Sequence, residues 1–230
     1  MCRKDIIMED EIKIIELKQN VFKENEVNAD SIRKECKEAG QLMINVMSSP
    51  GSGKTTTLVR TIKELTPDIN IGVMECDIDA DVDAYTVREA GARSIQLHTG
   101  GMCHMDAGMT KQGMLEMGMD GLDLVFIENV GNLVCPAEFD TGASVNMTIL
   151  SVPEGDDKPA KYPLVYEVSD IVLVNKIDAL SVFDFDKDLC VKRIKELNPD
   201  AKIFFVSSKT GEGFEEWISY LKKCVEDYKN

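Results

Sequence analysis

The chain has 230 residues, 43% hydrophobic and 29% charged, enough to bury a sizeable core without a disulfide or metal staple. Its 26 Lys and Arg oppose 41 Asp and Glu, and the net charge of −15 disfavours nucleic acid and anionic membrane surfaces, which are held through cationic side chains. No apolar run approaches the ~18 residues of a membrane span, so a membrane role drops out as well.

The first forty residues read as helix, with Ile12, Ile15 and Leu17 on one apolar face and Gly40 ending a polar stretch at 30–39. The opening Met1-Cys2-Arg3-Lys4-Asp5-Ile6-Ile7-Met8-Glu9-Asp10 turns acidic before a signal-peptide core forms. Short apolar runs, several rich in Val and Ile, then predict strands at 42–47, 71–75, 94–98, 122–128, 147–152, 170–174 and 202–206. Helical patterns fall between many of them, at 55–65, 81–90, 106–117, 185–197 and 213–227. Strand and helix in alternation predict the α/β class, a doubly wound, mostly parallel sheet. With no repeat and no linker, the expected organisation is a helical extension at 1–40 on one domain at 41–230. Ligands of such sheets sit beyond the carboxyl ends of the strands.

Seven scattered cysteines, an odd number, are unlike a secreted disulfide framework. Reduced thiols and a cytoplasmic location are expected. Most of those thiols are expected to be small buried hydrophobes.

After the first strand comes Ser48-Ser49-Pro50-Gly51-Ser52-Gly53-Lys54-Thr55-Thr56, followed by a helix. Glycines let such a loop curl until its backbone N–H groups face phosphate oxygens, and the helix N-terminus adds partial positive charge. Gly51, Ser52, Gly53, Lys54, Thr55 and Thr56 are therefore candidate phosphate-binding residues. Lys54 is expected at the β and γ phosphates and Thr55 on Mg2+. Ser48 stands where the usual string has its first glycine, which affects the entry turn and not the Gly51-to-Thr55 half. A glycine-rich turn without ligand is the alternative.

The run Leu122-Asp123-Leu124-Val125-Phe126-Ile127-Glu128 is an apolar strand ending in a carboxylate, with Glu in place of the usual Asp. Asn129-Val130-Gly131 follows, so Glu128 and Gly131 have the acid-x-x-Gly spacing of a switch that senses a γ-phosphate. Past the second strand lies Glu75-Cys76-Asp77-Ile78-Asp79-Ala80-Asp81-Val82-Asp83. Asp79 and Asp81 suit a solvated loop. Asp77, nearest the strand end, can approach Mg2+ directly or through water.

Asn175-Lys176-Ile177-Asp178 ends a later strand. Guanine presents N1–H and its N2 amino group side by side, and one carboxylate, Asp178, can accept from both. Adenine has no such donor pair on that edge, so the carboxylate selects against ATP. Asn175 can bond the base and tie the loop to the phosphate loop, while the Lys176 stem lies along the ring. Ser207-Ser208-Lys209, after the next strand, resembles the second guanine-contacting loop of GTPases. GTP is the expected nucleotide.

Two further loops leave strands at the same expected edge: Gly100-Gly101-Met102-Cys103-His104-Met105-Asp106 and Asn132-Leu133-Val134-Cys135-Pro136. Two thiolates and an imidazole suit Zn2+ or Ni2+. Adjacent Cys-His without a Cys-x-x-Cys frame equally suits packing, and the residues alone leave both readings open. Three ligands from one chain would need water or a second subunit to close the shell. His98, within a strand, reads as structural.

From about residue 40 onward the chain resembles the HypB family, the GTPases that help insert nickel into nickel–iron hydrogenases. The resemblance rests on the phosphate loop through Thr56, Gly100-Gly101-Met102-Cys103-His104, Ile127-Glu128-Asn129-Val130-Gly131-Asn132-Leu133-Val134-Cys135-Pro136 and Glu154-Gly155-Asp156-Asp157-Lys158-Pro159. It implies a GTP-dependent homodimer with nickel or zinc held between subunits by Cys103, His104 and Cys135. It implies that Asp77 and Asp83 belong to the first switch, joining Lys54 and Glu128 as catalytic residues, and that Lys158 and Lys161 are interface lysines. It also implies, as partners, a hydrogenase-maturation nickel chaperone and the hydrogenase large subunit. Some members carry a Cys-rich or His-rich N-terminal nickel segment. Here only Cys2 stands there, and no high-affinity store is expected.

A urease-accessory GTPase is the nearest alternative, but its metal motif is expected as Cys-Pro-His, and Cys135 would be surplus. A P-loop kinase for a small metabolite would leave Asn175-Lys176-x-Asp178 without a purpose. A metal-binding scaffold that uses GTP only as a structural ligand would show tight nucleotide binding with little turnover.

Overall fold

A computed structural model of the chain describes residues 17–77 and 82–230. Cys2, the apolar positions Ile12 and Ile15, and the acidic positions Asp79 and Asp81 lie outside the described residues. Seven strands pair into one sheet: β1 Leu42–Ser48, β2 Ile71–Asp77, β3 Arg93–His98, β4 Leu124–Glu128, β5 Val145–Ser151, β6 Ile171–Asn175 and β7 Lys202–Phe205. Their order is β3-β2-β4-β1-β5-β6-β7, and every pairing is parallel. All the carboxyl ends therefore emerge at one edge, with β1 at the centre.

The helices are α1 Leu17–Ala39, α2 Lys54–Leu65, α3 Val82–Glu89, α4 Ala107–Met117, α5 Cys135–Glu138, α6 Lys158–Lys161, α7 Pro163–Glu167, α8 Lys187–Leu197 and α9 Phe214–Lys229. They cover both faces, which is why central strands such as β1, β4 and β6 are buried along their whole length. Strand alternation sends Leu42, Ile44 and Val46 to the core shared with α2 and α9. Met43 goes to the opposite core, shared with α1 and α4, and Met47 to a third cluster with α7 and α8. Leu58, Ile62 and Leu65 of α2 are at most 1% exposed. Each such burial is worth about 1.5–3 kcal/mol, so α2 is held firmly and fixes Lys54 at its first position.

Helix α1 stops where a residue with positive φ is available. Gly40 has φ 66°, the Gln41 N–H reaches the Cys36 carbonyl at 2.9 Å, and the Gly40 N–H reaches Lys37 at 3.2 Å. These are the two bonds of a Schellman ending. Ala29, Ile32 and Cys36 of α1 are buried in the core with Met114 and Met117 of α4.

Differences from the sequence reading are local. Strand β4 begins at Leu124 because Asp123 is spent on a turn, its carboxylate accepting from the Asn70 N–H at 2.8 Å and its own N–H donating to the Asn70 carbonyl. Strand β5 begins at Val145, earlier than expected. Helices α5, α6 and α7 have four or five residues, each with proline in its first turn, too short to show a 3.6-residue period.

Candidate functional site

The loop between β1 and α2 frames a cavity of about 230 Å³, lined among others by Gly51, Gly53, Lys54, Thr55, Thr56, Glu128 and Gly131. Gly53, at φ 98°, directly precedes α2, and a Cβ there would lie 2.6 Å from Asn175 Nδ2. Only glycine fits that approach. Ser52 is fully buried, its hydroxyl donating to the Ser49 carbonyl at 3.0 Å. Lys54 Nζ donates to Ser48 Oγ at 3.2 Å. The serine at the first-glycine position is thus the strand-end partner of Lys54. Across the cavity the Thr55 hydroxyl donates to Glu128 Oε1 at 2.7 Å. A hydroxyl and a carboxylate at one point are the hard oxygen donors a small divalent cation takes.

Glu75 also lines this cavity and is 3% exposed, against 6% for Glu128. The two are register partners on β2 and β4, so their carboxylates leave the same face of the sheet. No sequence motif marks Glu75, because its neighbour across the sheet is visible only from strand register. Asp77 closes β2 and Asp83 falls in α3, but the side chains of both lie outside the described residues.

Asn175, 1% exposed at the end of β6, acts as a strut. Its Nδ2 donates to the Ser52 carbonyl at 3.0 Å, and its Oδ1 accepts from the Ser208 N–H and hydroxyl at 3.1 and 2.9 Å. Lys176, at φ 62°, donates from Nζ to the Gly51 carbonyl at 2.6 Å, so its stem crosses the loop. Asp178 Oδ1 accepts from the Ser207 hydroxyl at 2.7 Å, and Lys209 Nζ lies 3.9 Å from Oδ2. The three residues and the 207–209 loop form one wall beside the phosphate loop.

Cys103 and Cys135, 32 residues apart, place their sulfurs 2.9 Å from each other. Cys103 Sγ is 4.0 Å from His104 Nδ1, and the donors of all three residues lie within 4.8 Å of one another. They are half-buried. The His104 ring stacks on Phe139 at 3.8 Å with 18° between planes. Burial lowers the His104 pKa, outweighing Asp106 and Glu138, and so favours the neutral imidazole that metals require. A hydrogen bond with Cys103, followed by burial, pushes the Cys135 thiol up. Three soft-to-borderline donors at this spacing fit Ni2+ or Zn2+. Met102 and Val134, beside the two thiols, are exposed apolar side chains. Cys36 and Cys190 sit deep in separate cores, where burial raises their thiols to about 11 and about 12.

The loop after β4 touches both regions. Asn129 is fully buried, and its Oδ1 accepts from the Met105 N–H at 3.1 Å and from the Val130 N–H at 3.0 Å. Its Nδ2 donates to Asn45 Oδ1 at 3.0 Å, and Asn132 forms an antiparallel bridge with Ser48. Lys158 Nζ lies 3.4 Å from Ser49 Oγ and 3.6 Å from Glu154, whereas exposed Lys161 pairs with Asp157 at 2.6 Å. His98 is the exposed last residue of β3.

Strand order, phosphate loop and acidic strand end define a P-loop nucleotide-binding protein of the α/β class. The chain belongs to the CobW/HypB/UreG family, whose nucleotide-binding domain matches residues 42–205, and within it to the HypB hydrogenase maturation factors. It is 41% identical over 210 residues to the hydrogenase maturation factor HypB of Rhizobium leguminosarum bv. viciae, covering 91% of this chain and 70% of that one. The crystal structure of HypB from Archaeoglobus fulgidus matches with a TM-score of 0.82 and 36% identity, over 88% of this chain and 99% of that one. That of HypB from Helicobacter pylori in complex with nickel matches with the same TM-score and identity, over 90% and 98%.

Proposed function

We propose that this chain is a GTP-hydrolysing metallochaperone that binds nickel or zinc and assists nickel insertion into a nickel–iron hydrogenase. One observation carries the reading. A single short segment begins with Glu128, the last residue of β4, hydrogen-bonded to Thr55 of the phosphate loop, and ends seven residues later with Cys135, whose sulfur meets Cys103. A nucleotide-sensing acid and a metal ligand share one loop.

Gly51, Ser52, Gly53, Lys54, Thr55 and Thr56 hold the phosphates, and Lys54 stabilises charge on the terminal ones. Mg2+, when bound, neutralises phosphate charge, and Thr55, Glu128 and Asp77 are the oxygens assigned to it. Asp77 and Asp83 belong to the first switch. Asp178 reads guanine, with Asn175 and Lys176 bracing it and Ser207, Ser208 and Lys209 closing the pocket. Cys103, His104 and Cys135 take the metal as cargo. With three ligands per chain, and Met102 and Val134 exposed beside them, a second copy completes the shell in a homodimer, where Lys158 and Lys161 face the partner. Residues 41–230 are the working unit, and α1 is its helical extension. The location is cytoplasmic, with a nickel chaperone and the hydrogenase large subunit as partners. No described helix is long and apolar enough to cross a membrane.

The test is phosphate release from GTP and from ATP with Mg2+, alongside nickel bound per chain. Release from GTP alone, with less than one nickel per chain, is expected. Equal release from ATP, or none from GTP, would defeat the proposal.

A further inference from the structure

Helix α1 lies before residue 42, ahead of the segment that matches the family's nucleotide-binding domain. Nothing in its sequence suggests chemistry, yet one of its side chains joins the two loops that carry the thiols and the imidazole. Asn25 is 8% exposed. Its Oδ1 accepts from the Ala107 N–H at 2.8 Å, and its Nδ2 donates to the Asp140 carbonyl at 2.8 Å. The two partners dictate which end of the carboxamide faces which loop, because an N–H can only donate and a carbonyl can only accept.

Ala107 opens α4, three residues after His104. Its N–H is one of the first-turn donors that a helix cannot satisfy internally, and Asn25 satisfies it from outside. Asp106 caps the same turn by accepting from the Met109 N–H at 2.8 Å, so the chain leaving His104 enters a fixed helix end. Asp140 follows Phe139, the residue whose ring stacks on His104, and lies five positions beyond Cys135. A second grip reinforces the first: Arg33 Nη1 donates to both carboxylate oxygens of Asp140 at 2.9 Å. Buried Ile32 packs against Gly142, where an added Cβ would come within 2.8 Å of it.

We propose that Asn25 is a positioning residue for the metal site, fixing the Cys103–His104 loop relative to the Cys135 loop. This rests on Cys103, His104 and Cys135 being the nickel ligands. Groups hydrogen-bonded to metal ligands are typically worth 10- to 100-fold in metal affinity, and Asn25 acts one step further out, through the backbone of Ala107 and Asp140, so the lower end of that range applies.

The experiment is calorimetric titration of nickel into the full chain and into Asn25→Ala, Arg33→Ala and Cys103→Ala, with GDP titrated into each. Thiolate-to-nickel absorption is recorded in parallel. Asn25→Ala should weaken nickel binding by roughly 10-fold and shift the absorption band, with GDP affinity unchanged. Arg33→Ala, on the exposed side of the same grip, should act in the same direction by a smaller factor. Unchanged nickel affinity in Asn25→Ala, beside its loss in Cys103→Ala, would overturn the positioning role. Parallel loss of nickel and GDP binding would overturn it too, since that marks general loosening. If Asn25→Ala does not fold, Arg33→Ala decides: weaker nickel binding with intact GDP binding supports the role, and unchanged nickel binding removes it. Retention of full nickel affinity by Cys103→Ala would instead overturn the metal assignment beneath it.

Discussion

The side-chain oxygen of Asn129 accepts from the backbone N–H of Met105 at 3.1 Å, in a pocket where Asn129 has no solvent exposure. Asn129 directly follows Glu128, and Met105 directly follows His104. One hydrogen bond therefore ties the Glu128 strand end to the imidazole loop. Asn129→Ala should reduce the difference in nickel affinity between nucleotide states, leaving only what reaches Cys135 along the chain. It should also lower stability by about 1–3 kcal/mol, the cost of leaving a buried polar group unsatisfied. Nickel titrations of the variant with GDP and with a non-hydrolysable GTP analogue check this, and an undiminished difference would show that this hydrogen bond carries none of the coupling.

Lys54 stands at the first position of α2 with its ammonium against the cavity and Ser48. Lys54→Ala should abolish GTP hydrolysis while leaving the circular dichroism spectrum and thermal midpoint close to those of the parent. A folded variant with full turnover would remove Lys54 from the reaction.

These parts were legible in sequence because their chemistry is local. The phosphate loop and Asn175-Lys176-x-Asp178 are each a strand end plus a few residues, so strand and motif predict one another. The central strands β1, β4 and β6 were legible because parallel strands buried on both faces read as unbroken apolar runs. What was hidden depends on register and packing. Glu75 becomes a cavity residue only because β2 pairs with β4 in the register that sets it beside Glu128. Asn25 looks like one polar residue among many until α1 packs against α4. The thiols of Cys103 and Cys135 could be placed on one edge by topology, whereas their 2.9 Å approach comes from the loops.

Asp178→Asn should weaken GTP binding by about 2–3 kcal/mol, the scale of a bidentate contact to a charged group. The new amide can donate to the extra oxygen of xanthine, so preference should move toward xanthosine triphosphate. Competition binding with the two nucleotides reads both effects, and unaltered GTP affinity would put the base pocket elsewhere.

Alkylation should separate the cysteines into two classes. At neutral pH, Cys36 and Cys190 should stay unmodified in the folded protein, because the thiolate is the reacting form and burial holds both thiols at about 11 or above. Cys103 and Cys135, only half-buried, should react in the metal-free protein, Cys135 the more slowly because its thiol is pushed up, and both should become protected when nickel is added. Mass spectrometry of the labelled peptides reads the pattern, and labelling of Cys103 and Cys135 that nickel does not slow would remove them as ligands.

Cargo and nucleotide should be energetically linked through the segment from Glu128 to Cys135. Linkage is reciprocal, and coupling energies of this kind are typically ~1–3 kcal/mol, or roughly 5- to 150-fold in affinity. The direct measurement is calorimetric titration of nickel into the GDP form and into the form held by a non-hydrolysable GTP analogue. The affinities should differ within that range, tighter with the analogue, as a dimer drawn together by GTP completes the metal's shell. Identical affinities and stoichiometries in the two forms would contradict it.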